Sequence, residues 1–219
     1  MKSYPLTSRN RVKRVARRGQ YDKQTVFELL DSTSVAHVGF VVDDQPFVIP
    51  MAYGRFEDRL YLHGATNSRL MTRLEEGVPV CLTVTHFDGI VLARSAFHHS
   101  MNYRSVVVFG KARLVEGPDK EKALFYISEQ ILKDRWEEVR PPNEKELNAT
   151  AVLEVQIEEA SAKIRTGPPS DATADYELPI WAGVLPIQSN FEAPMPDPKL
   201  SEGIELPKSL QNIDIWTKQ

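Results

Sequence analysis

Cysteine is almost missing from this chain. Cys81 stands alone among 219 residues, which excludes an intramolecular disulfide framework and a cysteine-based zinc site. It lies in the apolar run Val78 to Val84, where a small core residue is expected rather than a nucleophile. No apolar run approaches the ~20 residues needed to span a bilayer, and the N-terminus has no apolar signal core. A cytoplasmic protein without a membrane partner is therefore expected. No Gly-x-Ser-x-Gly, Walker loop or Gly-x-Gly-x-x-Gly occurs, which argues against the common hydrolase, nucleotide-triphosphatase and Rossmann readings. The five histidines show no metal spacing. His98 and His99 are adjacent, so on a strand they would face opposite sides, and no metal site is expected. There is no excess of positive charge. The net charge of −3 argues against a nucleic-acid partner.

What is present is a soluble-protein composition, 42% hydrophobic and 26% charged. The chain reads in three parts. Residues 1–21 form a basic arm carrying Lys2, Arg9, Arg11, Lys13, Arg14, Arg17 and Arg18, expected to be structural. Residues 22–165 form the main domain. Residues 166–219 form a Pro-rich tail that still carries Tyr176, Leu178, Ile180, Trp181, Val184, Leu185, Ile187 and Phe191. A disordered tail would lack so many large apolar groups. The tail is therefore expected to wrap over the main domain or a partner subunit.

Within the main domain, Asp22 is the expected N-cap of a helix with Val26, Phe27, Leu29 and Leu30 on its apolar face. Strands are expected over Val35 to Val42, Phe47 to Tyr53, Leu60 to His63, Pro79 to Phe87, Gly89 to Ala93, Tyr103 to Val115, and finally Ala149 to Glu158. Pro50 cannot donate to a ladder, so its strand should lie at an edge, a bulge or a site. A helix from about Asp119 to Lys133 and a polar connector with Pro141-Pro142 separate the last two strands. Many strands, short turns and few helices indicate a mainly antiparallel β-barrel with flanking helices.

The most informative stretch is Leu60 to Leu74. An alternating apolar run ends in the small-residue turn Gly64-Ala65-Thr66-Asn67, and Ser68-Arg69 then opens a helix that stops near Gly77. Free N–H groups at a helix start favour an anion. Ser68 adds a hydroxyl and Arg69 a planar two-pronged cation, so the layout suits a phosphate. It equally fits an ordinary strand-turn-helix with Asn67 or Ser68 as N-cap. His63 ends the strand just before this turn. Arg104 and Ser105 group a cation and a hydroxyl in a long strand. Trp181 offers a ring for stacking, or an anchor for the tail.

Together these segments resemble the pyridoxamine 5′-phosphate oxidase-like flavin-binding split-barrel proteins, in the branch related to nitroimidazole-resistance nitroreductases. The residues that carry the resemblance are Arg17 to Asp22, Pro50 to Tyr53, Leu60 to Ala65 with Ser68-Arg69, Tyr103 to Val106, Lys163 to Pro169, and Trp181 to Pro186. It implies a six-stranded antiparallel split β-barrel of the FMN-binding type. It also implies a homodimer with FMN at the subunit interface. Val48, Ile49, Pro50, Met51, Ala52 and Tyr53 would line the flavin ring through their backbone. His63 and Gly64 would sit beside the ribityl-phosphate end, and Ser68 and Arg69 would bind the phosphate. Arg104, Ser105 and Trp181 would complete the cofactor site. Leu70 stands where the oxidase itself keeps a lysine, and the oxidase's C-terminal arginine and histidine signature is not evident. Vitamin B6 oxidation is therefore not expected.

The expected function is an FMN-dependent oxidoreductase that reduces a small acceptor, such as a nitroaromatic, by two electrons, with NAD(P)H as a candidate donor. His63 is the candidate catalytic proton donor. Two alternatives stay open: a flavin-binding sensor or carrier without catalysis, and a split barrel that holds haem or a deazaflavin.

Overall fold

The computed structural model describes residues 2–74, 77–211 and 213, with the Arg69 side chain outside the described set. In chain order its elements are β1 (Gly19–Gln20), α1 (Lys23–Asp31), β2 (Val35–Val42), β3 (Gln45–Phe56), β4 (Arg59–Ala65), α2 (Arg69–Leu74) and β5 (Pro79–Leu92). There follow β6 (Ser100–Leu114), α3 (Asp119–Ile131), α4 (Glu144–Ala149), β7 (Thr150–Gln156), β8 (Glu159–Arg165), β9 (Gly183–Pro186) and α5 (Lys208–Gln211). Hydrogen-bonded neighbours run β1-β8-β6-β7-β4-β3-β2-β5-β9. Strand β6 also pairs with β5, so β6, β7, β4, β3, β2 and β5 make a ring of six strands. The fold is the mainly β barrel expected from the strand pattern, in the six-stranded split form that the resemblance implies.

The chain divides into two compact units. The first comprises residues 1–50, 79–110 and 157–188. Here Asp22 caps α1 by accepting a hydrogen bond from the Thr25 N–H at 2.8 Å. Alternate residues Ala36, Val38 and Phe40 of β2, and Val80, Leu82 and Val84 of β5, are buried, as period-2 patterning demands. Asp43 and Asp44 both take positive φ, 49° and 61°, and so form the tight turn between β2 and β3. The basic arm lies on β8. Arg9 Nη2 pairs with Glu159 at 2.7 Å and Glu158 at 3.0 Å. Buried Asn10 donates to the Pro5 and Ala160 carbonyls at 2.9 and 3.3 Å. The tail contributes β9, which pairs antiparallel with β5 from Gly89↔Pro186 to Leu92↔Gly183.

The second unit comprises residues 51–78, 111–156 and 189–219. Strand β4 pairs with β7 along its whole length, from Arg59↔Gln156 to Ala65↔Thr150. Tyr61 and Val152 from this pair pack with Ala123 and Ile127 of α3. At Gly54 an added Cβ would lie 2.4 Å from the Tyr126 carbonyl carbon, so only glycine allows β3 to approach the α3 backbone this closely.

Three expectations about elements change and one narrows. Strand β3 has neighbours on both sides in the strand order, so of the edge, bulge or site expected at Pro50 the edge is excluded. Its register with β4 covers Tyr53 to Phe56 and leaves Pro50 outside. The two strands expected on either side of Asp88 are one, β5, whose first half pairs with β2 and whose second half pairs with β9. The polar connector contains α4, opened by a reciprocal capping box between Asn143 and Glu146. The last strand of the main domain is β8, a run of small and polar residues whose pairing with β6, rather than its own hydrophobicity, makes it a strand.

Candidate cofactor site

In the second unit, the turn after β4 is built tightly. A Cβ on Gly64 would stand 3.0 Å from Met71 Cγ and 3.2 Å from its sulfur, so glycine lets the end of β4 meet α2. Ser68 closes the turn, its N–H donating to the Ala65 carbonyl at 2.9 Å. Its Oγ accepts the Met71 N–H at 3.2 Å. Ser68 is thus the N-cap of α2, and its hydroxyl proton still has no acceptor among the described residues. The cap and the donor are compatible roles. The Arg69 side chain lies outside the described residues. Gly77, with φ 77°, ends the turn beyond α2, its N–H donating to the Leu74 carbonyl at 3.2 Å.

His63, opposite Val152 in the β4–β7 register, is half-buried. Its Nδ1 is buried without a hydrogen-bond partner. Desolvation pushes its pKa below the ordinary imidazole value, so the neutral ring dominates at pH 7. A neutral imidazole whose Nδ1 has no partner is a ligand or a weak donor, and imidazolium acid chemistry is disfavoured. Met51 and Ala52 of β3 are half-buried, whereas Tyr53 is fully buried, backbone included, and presents no surface to a ligand.

In the first unit, Val48 is 67% exposed and Pro50 is also exposed, with Ile49 half-buried between them. An exposed apolar strand segment of this kind suits the face of a planar group. Arg104 is held in a two-point ion pair by Asp88, Nε to Oδ2 at 3.0 Å and Nη2 to Oδ1 at 2.9 Å. Ser105 Oγ donates to the Lys163 carbonyl at 3.4 Å. Sequence reasoning missed Asp88 as the partner of Arg104. The signal was an acid inside an otherwise apolar strand run. Trp181 is 70% exposed and is no buried anchor. Its ring covers Gly183, where a Cβ would fall 2.9 Å from Cη2. His99 Nδ1 accepts the Ala93 N–H at 3.2 Å, and His86 Nε2 meets Ser32 Oγ at 2.9 Å. No group of three or more metal-ligating side chains is gathered among the described residues.

The fold has known counterparts. Residues 22–164 match the family described as pyridoxamine 5′-phosphate oxidase, and the chain belongs to that family. The flavocytochrome Anf3 from Azotobacter vinelandii is similar at 40% identity and a TM-score of 0.89, over 94% of this chain and 97% of that one. An FAD and haem binding protein from Mycobacterium smegmatis is similar at 34% identity and a TM-score of 0.86, over 90% of this chain and 97% of that one. A protein from Bacteroides thetaiotaomicron assigned to 5-nitroimidazole antibiotic resistance shares the fold, at 23% identity and a TM-score of 0.55 over 65% of this chain and 84% of that one. No curated protein matches the sequence.

Proposed function

We propose that this protein is a flavin-binding redox protein that also holds a haem. The observation that carries the reading is His63. It is a desolvated, neutral histidine with an unpartnered buried nitrogen, one residue before the glycine turn that Ser68 closes. A neutral imidazole suits a haem iron, and with Nδ1 buried it is Nε2 that would meet one. The free Ser68 proton, with Arg69 and the first N–H groups of α2, suits a cofactor phosphate. Two relatives of nearly full length support the pair of cofactors, since one is named a flavocytochrome and the other an FAD and haem binding protein. The second name favours FAD over the FMN expected above.

The flavin supplies two-electron chemistry and the haem one-electron chemistry when they are bound. The protein's own part is to hold and shield them. Ser68 would donate to a phosphate oxygen. The exposed Val48 side chain and the backbone from Ile49 to Ala52 would lie against a flat ring, and His63 stays unprotonated. His63 is thus better cast as a ligand than as the proton donor. A nitroaromatic acceptor has only fold likeness behind it. A homodimer remains part of the proposal, supported by the exposed apolar side chains Val48, Phe97, Met101 and Trp181 in the first unit. Light scattering would measure it.

The test is purification from cells supplied with riboflavin and a haem precursor. A yellow-red protein with flavin bands and a Soret band, whose acid extract yields FAD, supports the proposal. A colourless protein that takes up neither added cofactor refutes it.

A further inference from the structure

We infer that Arg165, Asn102 and Arg18 form a binding site for an oxyanion, the phosphate or carboxylate group of a small molecule. The site stands on its own residues, whichever cofactor the protein holds. Arg165 ends β8 and faces Tyr103 of β6 in the register. Only 6% of its surface is exposed. Its Nη1 donates to Asn102 Oδ1 and, at 3.4 Å, to the Gly167 carbonyl. Its Nη2 reaches the Pro168 carbonyl at 3.5 Å. Its Nε is buried with no partner.

Every acceptor around this guanidinium is neutral. No carboxylate lies within ion-pair distance of it among the described residues. Other arginines of the same unit are treated differently: Arg9 pairs with Glu158 and Glu159, Arg94 with Asp171, and Arg104 with Asp88. A buried charge without a counter-ion is strongly unfavourable, because the interior cannot replace its hydration. Arg18 makes this worse. It precedes Gly19, which pairs with Lys163, and the 3-10 turn that it ends lies against β8. Arg18 is half-buried and has no acidic partner among the described residues. Burial and the Arg18 charge together lower the Arg165 pKa.

A buried Nε without a partner does not mark a site by itself, since Arg94 has one beside its ion pair with Asp171. What sets Arg165 apart is a buried guanidinium with only neutral acceptors and a second cation near it, and a bound oxyanion accounts for both, since it neutralises two charges and accepts fork-shaped hydrogen bonds. Gly167, with φ 93°, and the following Pro168-Pro169 hold the loop in one shape around the site.

The test uses the protein as purified, with thermal unfolding followed against inorganic phosphate and pyrophosphate at constant ionic strength. Arg18→Gln is the main variant. Arg165→Lys, which keeps the charge and loses the fork, is the second. Circular dichroism checks that both are folded. A saturable rise in wild-type Tm, with a midpoint about tenfold higher in Arg18→Gln, identifies a free anion as the occupant. A flat wild-type response with loss of most bound cofactor from Arg18→Gln on gel filtration identifies the oxyanion as a cofactor's own. If both variants match wild type in anion response and cofactor retention, the site does not exist. The anion arm decides even if the protein proves to bind neither flavin nor haem.

Discussion

His63 carries the most consequence of any single residue. Its folded-state pKa lies below the ordinary value of 6.5, so the unfolded chain binds a proton more readily there. Stability from His63 is therefore complete above about pH 6.5 and declines as pH falls below it. His86, also depressed by burial and then by Arg104, acts in the same direction. Denaturant melts from about pH 7.5 down to about pH 5.5 should show this loss, and His63→Gln should flatten part of it. A variant as pH-sensitive as wild type would show that His63 is not desolvated. Arg69 offers a second residue-scale prediction. Arg69→Ala should weaken flavin binding by roughly 1.5–3 kcal/mol, the range for a hydrogen bond to a charged group. Titration of flavin into stripped protein measures it. The Ser68 cap and the His63 position were legible in the sequence, because a strand period broke at Gly64 and a capping residue followed. Arg104's pairing with Asp88 and the burial of Arg165 were not. Asp88 left a trace, an acid inside an apolar run 16 residues before Arg104, but spacing does not say which cation faces it. The burial of Arg165 depends on β8 meeting β6 from far along the chain, and single-sequence spacing carries no trace of that.

At the scale of elements, the design rests on close approaches that glycine permits and on caps that set helix starts. Gly54→Ala places a methyl 2.4 Å from Tyr126 backbone, which cannot yield as a flexible side chain would. Urea denaturation should show a loss of about 1–3 kcal/mol, the cost of overpacking. Asp22→Ala should remove the bond to the Thr25 N–H and cost about 1 kcal/mol by the same measurement. Most elements followed from local pattern: α1 from its cap and apolar face and β2 from alternation. Strand β8 escaped because its Ala160-Ser161-Ala162 core is small and only weakly strand-forming alone. Pairing with β6 on one side and β1 on the other supplies what its own side chains do not. Helix α4 escaped because its six residues lack an apolar stripe, and the Asn143–Glu146 capping box starts it instead.

For the whole molecule, a ring of six strands with helices at its margins belongs to the pyridoxamine 5′-phosphate oxidase family. That much was readable from strand count and motif order. A flavin was readable as well, but the proposed haem was not. Haem stood only as an alternative in the sequence, since one histidine in a strand end has no spacing signature. The near-full-length likeness to a flavocytochrome and to an FAD and haem binding protein brings it forward. The central claim is that one turn, from His63 to Ser68, serves a redox cofactor pair. The most direct measurement is the visible spectrum of wild type and His63→Ala purified side by side. The account predicts flavin and Soret bands in wild type, and a variant that keeps its flavin while its Soret band is lost or shifted. A His63→Ala protein with an unchanged Soret band, or a wild type with no haem after supplementation, would contradict it.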